Sequence, residues 1–346
     1  MTTAAPPVDE RVAEVGVLRR LLVRPEFASV VGAIIVLVFF ATQSSVFLSN
    51  NGIANWLDRA STLGIMAVAV GLLMIGGEFD LSAGVLTGTT GLTVTLLATE
   101  YGWNLWAAIA AALGLALVVG VFNGVTVMRT RLPSFIVTLG TFLMLQGLNL
   151  GVTKAVTGAV VVRGLDEVDG YETARSIFAR TFHVFGADFR VAILWWLAIT
   201  ALATWILMRT KPGNWIFAVG GNQHAARSVG VPAARTKIAL FMTTAFAAWL
   251  VGTISAVRFT SVQANQGIGE EFIYIIAAVI GGCLLTGGYG SAIGASVGAI
   301  IFGMADRGII FAGWDADWFK FFLGVMLLLA ALTNAFVRRY AERTRR

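Results

Sequence analysis

The sequence predicts an all-α polytopic membrane protein with about ten transmembrane helices, both termini cytosolic and a short helix in one cytosolic loop. Three observations carry this. Hydrophobic residues make up 57% of the chain and charged residues only 13%, with a mean hydropathy of +0.81, far from soluble composition. Apolar runs close to the roughly 20 residues that a bilayer-spanning helix needs recur along the whole chain. Lysines and arginines gather in alternate inter-run loops, which is the mark of cytosolic segments.

Taken in order, residues 1–26 mix Arg11, Arg19, Arg20 and Arg24 with Asp9, Glu10, Glu14 and Glu26, and no small-residue cleavage site follows the first apolar run. This segment reads as a cytosolic leader rather than a cleaved signal peptide. The membrane domain then covers 27–337, with spans near 27–43, 61–77, 81–99, 105–128, 133–152, 190–208, 238–257, 272–286, 291–311 and 318–337. The second, third and eighth are short, as broken or re-entrant helices would be. Arg129 and Arg131 flank one loop, five basic residues without an acid occupy the 209–237 loop, and a basic cytosolic tail fills 338–346. All three fall on the N-terminal side of the membrane in a ten-span arrangement. The stretch 153–190, with five basic and five acidic residues, falls on the external side and reads as a solvated loop or as a docking surface through Arg163, Asp166, Glu167 and Asp169.

The net charge of +6 therefore reports topology, not affinity for nucleic acid, since no basic patch is interleaved with aromatics. The single cysteine, Cys283, has no intrachain partner and leaves the redox compartment open. Glycine is abundant, 39 residues, and falls in packing series: Gly84 to Gly88, Gly120 to Gly124, and Gly290, Gly294 and Gly298. Such spacing lets helix backbones approach closely.

Between Ser61 and Thr99 the only charges are Glu78 and Asp80, inside Gly76-Gly77-Glu78-Phe79-Asp80-Leu81-Ser82-Ala83-Gly84. A charged side chain at bilayer depth costs several kcal/mol unless it meets water or protein, which marks this junction as a functional candidate. Glu78, Asp80 and Ser82, with Thr286 and Ser291, are the candidate lining of a solute path, because carboxylate and hydroxyl groups accept from and donate to polar cargo. Equally, Asp80 and Ser82 suit the cap of a helix beginning near Leu81. Asp306 and Arg307 read as a local charge accommodation near a helix end.

In the 209–237 loop, Asn222 is a suitable N-cap, 223–229 is helix-compatible, Gly230 suits a left-handed terminus and Pro232 stops continuation. A short helix is expected here, resting on headgroups or docking a soluble partner.

These residues carry a family resemblance. GNQHAARSVGV at 221–231, GGEFDLSAG at 76–84 and EEFIYIIAAVIGGCLLTGGYGSAIGASVGAIIFG at 270–303 resemble, in this order, motifs of the membrane-spanning permease of bacterial ATP-binding-cassette importers of the ribose and monosaccharide type. The resemblance extends from about residue 48 to 334 and implies a ten-span subunit of the bacterial cytoplasmic (inner) membrane. It implies two ATPase subunits, a periplasmic sugar-binding protein and a second permease copy as partners, and coupling to the ATPase through Asn222, Gln223, His224, Ala225, Ala226, Arg227 and Gly230. Gln223 and His224 depart from the family pattern, where an acidic residue commonly precedes the alanine pair. The segment Asp80-Leu81-Ser82 differs from the related branched-chain amino acid permeases, which favours a sugar-type cargo. No cofactor is expected in this chain: none of Lys154, Lys211, Lys237 and Lys320 follows a glycine, so there is no Walker A loop, and ATP-Mg would be bound by the partner ATPase.

Two other classes compete. An ion-coupled secondary transporter would use Glu78 or Asp80 as its ion site and needs no docking helix. An intramembrane hydrolase could use Gly294-Ala295-Ser296-Val297-Gly298 as a nucleophile motif, or Asp80 with Asp306 as an acid pair, but the only histidines, His183 and His224, fall on opposite sides of the membrane.

Overall fold

The computed structural model describes residues 25–343; the first 24 residues of the expected leader and the last three of the basic tail lie outside them. The described residues form thirteen α-helices: α1 (Pro25–Gln43), α2 (Asn50–Ile75), α3 (Ala83–Thr99), α4 (Leu105–Thr130), α5 (Ser134–Thr157), α6 (Tyr171–Phe178), α7 (Ala192–Arg209), α8 (Lys211–Gly221), α9 (Gln223–Ser228), α10 (Ala233–Phe259), α11 (Glu270–Ile280), α12 (Ala292–Phe311) and α13 (Trp318–Arg343). Four short strands accompany them: β1 (Val161–Arg163), β2 (Thr181–Val184), β3 (Ala187–Arg190) and β4 (Ser261–Gln263). β1 pairs with β4 antiparallel, Val162 opposite Val262, and β2 with β3 as a hairpin.

Among the described residues seven helices are long and apolar enough to cross a membrane: α1, α2, α4, α5, α7, α10 and α12. Of the remaining three expected spans, the tenth lies within the 26-residue helix α13, and the third and eighth are helical but short. α3 has 17 residues, and α11 has 11, which at 1.5 Å per residue is about 16 Å, half of a hydrocarbon core of about 30 Å. The expected eighth span thus ends at Gly281, and residues 281–291 turn back as a glycine-rich connection before α12. The expected second span in turn starts eleven residues earlier, at Asn50, where the Ser49 hydroxyl accepts from the Gly52 N–H. It carries Asp58 and Arg59 inside the helix, because both side chains find ion-pair partners on other elements.

α2, α3, α10 and α12 form the buried centre, with Leu63, Ile65, Met66, Leu86, Phe241 and Phe302 all at most 1% exposed. α4, α5 and α7 turn apolar side chains outward, among them Val118, Leu143, Leu148 and Leu197, as helices facing lipid do. At the helix contacts, a Cβ on Gly294 would collide with the carbonyl of Gly281, one on Gly298 with that of Ala277, and one on Gly88 with that of Gln266. Gly84 faces Glu271 and Gly267, while Gly120 and Gly124 lie against Met242 and Ile238 of α10. Gly290 does not share a helix with Gly294 and Gly298: it sits before the Ser291 N-cap with φ +150°, so the expected three-glycine helical series is two glycines on α12 and one in the turn.

The 153–190 stretch is not a solvated loop. Its helix α6 buries Tyr171, Ala174 and Phe178 against the bundle, the Tyr171 hydroxyl donates to the Val257 carbonyl at 3.1 Å, and Phe178 stacks on Trp195. The 209–237 loop also holds more structure than its turn signals indicate: α8 precedes α9 and buries Ile216 and Val219.

Candidate functional site at the broken helices

α2 and α11 end in the same way. At α2, Gly76 caps with its N–H on the carbonyls of Leu72 and Met74, Gly77 follows with φ +81°, and Glu78 N–H returns to Leu73. At α11, Gly281 caps on Ala277 and Val279, Gly282 follows with φ +90°, and Cys283 N–H returns to Ala278. The positive φ explains the glycine at the second position of each pair, since a side chain there is strained by about 1–2 kcal/mol. Both chains then restart a helix at a serine, Ser82 before α3 and Ser291 before α12. The two breaks touch: Gly288 N–H donates to the Ile75 carbonyl at 2.8 Å, and Gly77, Gly220 and Gly287 bring three backbones into contact.

The chain between α2 and α3 is held by polar side chains of α4 and α5. Ser134 Oγ accepts from the Phe79 N–H and Thr138 Oγ1 from the Leu81 N–H, both at 3.0 Å. Asp80 is 1% exposed, and its Oδ1 accepts from the Ser82 N–H at 2.9 Å and from the Ser82 hydroxyl at 2.6 Å. Asn123 of α4 donates to Ser82 Oγ at 3.0 Å, and Thr141 of α5 donates to Asn123 Oδ1 at 2.6 Å. Ser82 occupies the N-cap position of α3 without a side-chain cap bond; its hydroxyl is spent on Asp80 and Asn123 instead. A linear chain of four polar side chains, Thr141, Asn123, Ser82 and Asp80, therefore runs inside the bundle, with each buried group satisfied.

Glu78 faces the opposite way. Lys237 Nζ, at the start of the second turn of α10, donates to Glu78 Oε1 and, at 2.8 Å, to Gln223 Oε1 of α9. Their side chains are only 12% and 5% exposed for Glu78 and Lys237. One ammonium thus joins the helix break to the short helix. That helix is built as its residue types dictate: Asn222 Oδ1 accepts from the Ala225 N–H at 3.0 Å, Ala226 is buried, and Gly230 takes φ +83° while its N–H closes on the Arg227 carbonyl. Glu78, Gln223, His224 and Arg227 line a cavity of about 260 Å³ with Arg131. Thr286 is exposed on the glycine-rich turn, and Ser291 Oγ accepts from the Gly294 N–H at 2.8 Å as the α12 cap.

At the far end of α10 a second polar assembly occurs. Arg258 donates through Nη1 and Nη2 to the two carboxylate oxygens of Asp58 at 3.0 and 2.8 Å. Arg59 lies 3.4 Å from Glu270 and 3.6 Å from Asp306, and Asp306 also faces Arg307 at 3.4 Å. Asp306 and Arg307 are thus part of a network that reaches α2 and α11, rather than a local accommodation at one helix end.

Sequence reasoning found the Glu78–Ser82 junction and the α9 motif but not what connects them. It missed Lys237, Asn123, Ser134, Thr138 and the Asp58, Arg59, Arg258 and Glu270 group. Asn123 alone had a visible signal, a lone amide within an apolar run. Ser296, the nucleophile of the hydrolase reading, has as partners Trp196, which donates its Nε1–H at 3.0 Å, and Thr200 at 2.6 Å; neither is a base. His183 sits on the β2–β3 hairpin beside Asp188 and His224 on α9, and Asp80 and Asp306 belong to separate networks. The hydrolase reading therefore has no catalytic constellation among the described residues.

Comparison with known proteins gives a consistent result. Residues 52–331 match the family described as branched-chain amino acid transport system / permease component. The chain is similar to the ribose import permease protein of Escherichia coli (strain K12), with 31% identity over 89% of this chain and 93% of that protein. It is similar to the xylose transport system permease protein of the same organism, 28% identical over 90% and 92%. The galactose/methyl galactoside import permease protein of Haemophilus influenzae is 30% identical over 90% and 93%. No solved structure matches.

Proposed function

The chain belongs to the permease-component family described for branched-chain amino acid transport systems, and from that premise we propose that it is the membrane-spanning subunit of an ATP-binding-cassette importer for a monosaccharide or similar small polar solute. The relatives named for ribose, xylose and galactose support sugar over amino acid cargo. Its partners are ABC ATPase subunits that bind ATP-Mg and hydrolyse it, a periplasmic sugar-binding protein and a second permease copy. The permease domain, 27–337, crosses the bacterial cytoplasmic membrane about ten times with both termini cytosolic.

The observation that carries this reading is the Lys237 bridge. An importer of this class must turn a push on a cytosolic helix into a shift of membrane helices, and the bundle must have two arrangements for that push to bias. Asn222 to Gly230 is the ATPase-facing element. Through Gln223 and Lys237 its movement reaches Glu78 at the α2–α3 break without crossing flexible chain. Above Glu78, Asp80 and Ser82, with Thr286 and Ser291 of the touching break, border the route that opens when the breaks separate. Glu78 belongs to the inner end of that route. Hydroxyls and carboxylates suit a conduit that must release its cargo, because contacts with sugar hydroxyls are individually weak. The exposed charges Arg163, Asp166, Glu167 and Asp169 on the opposite side meet the binding protein.

Proteoliposome uptake tests the reading. Ribose, xylose or galactose should accumulate only with the ATPase subunits, the binding protein and ATP on the ATPase side. Accumulation driven by a proton or sodium gradient with this chain alone would overturn it in favour of an ion-coupled transporter using Glu78 or Asp80.

A further inference from the structure

The ion-paired assembly at the end of α10 encloses a cavity of about 230 Å³, walled by Asp58 and Arg59 of α2, Arg258 of α10, Glu270 and Tyr274 of α11 and Arg307 of α12. This is ample for several waters and is on the scale of one small solute. On α10 the cavity wall runs from Val251 to Phe259, beginning 14 residues, about 21 Å, along the helix from the Lys237 bridge, and Arg258 is 21 residues, about 32 Å, from it. Thr87 also lines the cavity, and Thr87 is five residues, about 7.5 Å, along α3 from Ser82. One wall of the cavity thus belongs to the helix that starts at the Asp80–Ser82 break.

We propose that this cavity is a binding station within each permease for one neutral monosaccharide, received before the break opens. The proposal rests on the importer reading above and adds a site inside the single chain.

Its chemistry selects the ligand. Three guanidinium groups, Arg59, Arg258 and Arg307, are offset by three carboxylates, Asp58, Glu270 and Asp306, each within 3.6 Å of a partner. A phosphorylated sugar would have to break one of these pairs and leave a charge without compensation, which costs several kcal/mol at such depth. Sugar hydroxyls instead donate to the carboxylates and accept from guanidinium N–H groups without disturbing the balance. The Nε of Arg307 is buried and faces Asp306 at 3.4 Å without a hydrogen bond of good geometry, so a sugar hydroxyl can bridge the two. Hydroxyls of Thr62 and Ser255 and the amide of Gln266 continue the polar wall, and the Tyr274 and Phe259 rings supply apolar faces for the sugar C–H groups. A zwitterionic amino acid, although Leu63, Val251 and Ile254 also line the wall, would set its own carboxylate and ammonium against these ion pairs, as the phosphorylated sugar does. Ionisable groups held within a membrane domain mark solute pathways more often than they add stability, since paired burial rarely gains energy over an apolar pair.

The native Cys283 is fully buried and is the only cysteine, so single thiols can be placed in the cavity of the otherwise unchanged chain. Ser255→Cys and Thr62→Cys, each in the full permease in lipid nanodiscs, are labelled with a small methanethiosulfonate reagent, with wild type as the unlabelled control. Ribose, xylose, galactose, ribose 5-phosphate and leucine are added separately over a millimolar range. At about ten times its dissociation constant a sugar occupying the cavity slows labelling about tenfold, because the free fraction falls as 1 + [L]/Kd. We expect this protection from at least one of the three neutral sugars and none from ribose 5-phosphate or leucine. Thiols that label at a rate no sugar alters, or that never label, in variants that unfold at the wild-type midpoint overturn the cavity proposal while leaving the importer reading intact. Protection by leucine alone overturns the ligand class. Loss of all ATP-dependent sugar uptake by the wild-type complex strikes the importer reading itself.

Discussion

Replacing Lys237 by methionine keeps the length and apolar stem of the side chain but removes the ammonium that joins Glu78 to Gln223. Both members of the pair are largely buried, at 5% and 12% side-chain exposure, so the carboxylate left behind has little water to turn to. Removing one partner of such a pair costs about 3–5 kcal/mol, and the lower end applies here because Glu78 also borders a cavity. The second variant, Glu78→Gln, leaves the ammonium with Gln223 and a neutral amide, so it should lose about 1–2 kcal/mol. In the double variant no buried charge is uncompensated. It should be about 3 kcal/mol more stable than the sum of the single losses, at the upper end of couplings between touching residues. Unfolding midpoints of the four proteins in one detergent measure this, and the ratio of solute moved to ATP hydrolysed in the reconstituted complex measures the functional consequence. Lys237→Met should retain partner-stimulated ATP hydrolysis and lose uptake, because the push on α9 no longer reaches the α2–α3 break. Single effects that add to within about 0.5 kcal/mol would show that the pair does not interact, and uptake lost only in proportion to ATP hydrolysis would refute the transmission argument.

Other expectations concern separate parts of the molecule. Ser82→Ala removes a donor to Asp80 and an acceptor for Asn123, both buried, and should cost about 2–4 kcal/mol in unfolding measurements, whereas Thr141→Val, one bond further along, should cost about 1–2 kcal/mol. Ser296→Ala should lower stability by about 1–3 kcal/mol by orphaning Trp196 Nε1 while leaving the uptake rate per folded protein unchanged; a loss of rate without loss of stability would revive a chemical role for Ser296. Gly230→Ala meets open space but has φ +83°, so it should cost only about 1–2 kcal/mol locally, read as faster amide exchange in 223–231 with the rest of the bundle unaffected. Deleting 153–190 should unfold the bundle because Leu165 and Ala174 are fully buried, whereas neutralising Arg163, Asp166, Glu167 and Asp169 should keep the fold and weaken binding-protein docking in a pull-down.

Much of this protein is decided by short-range chemistry and is readable from the chain. The membrane class follows from apolar run length, because unpaired backbone groups cannot enter hydrocarbon. The α9 helix follows from Asn222, Gly230 and Pro232, because capping is settled within one turn. The break at Gly76-Gly77 follows from two glycines beside two acids. Its counterpart at Gly281-Gly282 showed only as a short eighth span drawn through these glycines to 286, because the surrounding residues are apolar and the hydrogen-bond pattern, not the side chains, is what repeats. Only the tertiary structure decided who meets whom. Lys237 reaches Glu78 across 159 positions, Asn123 reaches Ser82 across 41, and Arg258 reaches Asp58 across 200. Helical periodicity states that a residue lies on a face, but the partner face depends on how all the helices pack, and in a bundle built on glycine contacts that packing is set by backbone shape. The sequence by itself therefore determined the class of the molecule and the place of the acidic break between α2 and α3. The fold alone determined that one break is wired to the short helix α9 by a single ammonium, and that a charge-balanced cavity forms toward the other end of α10.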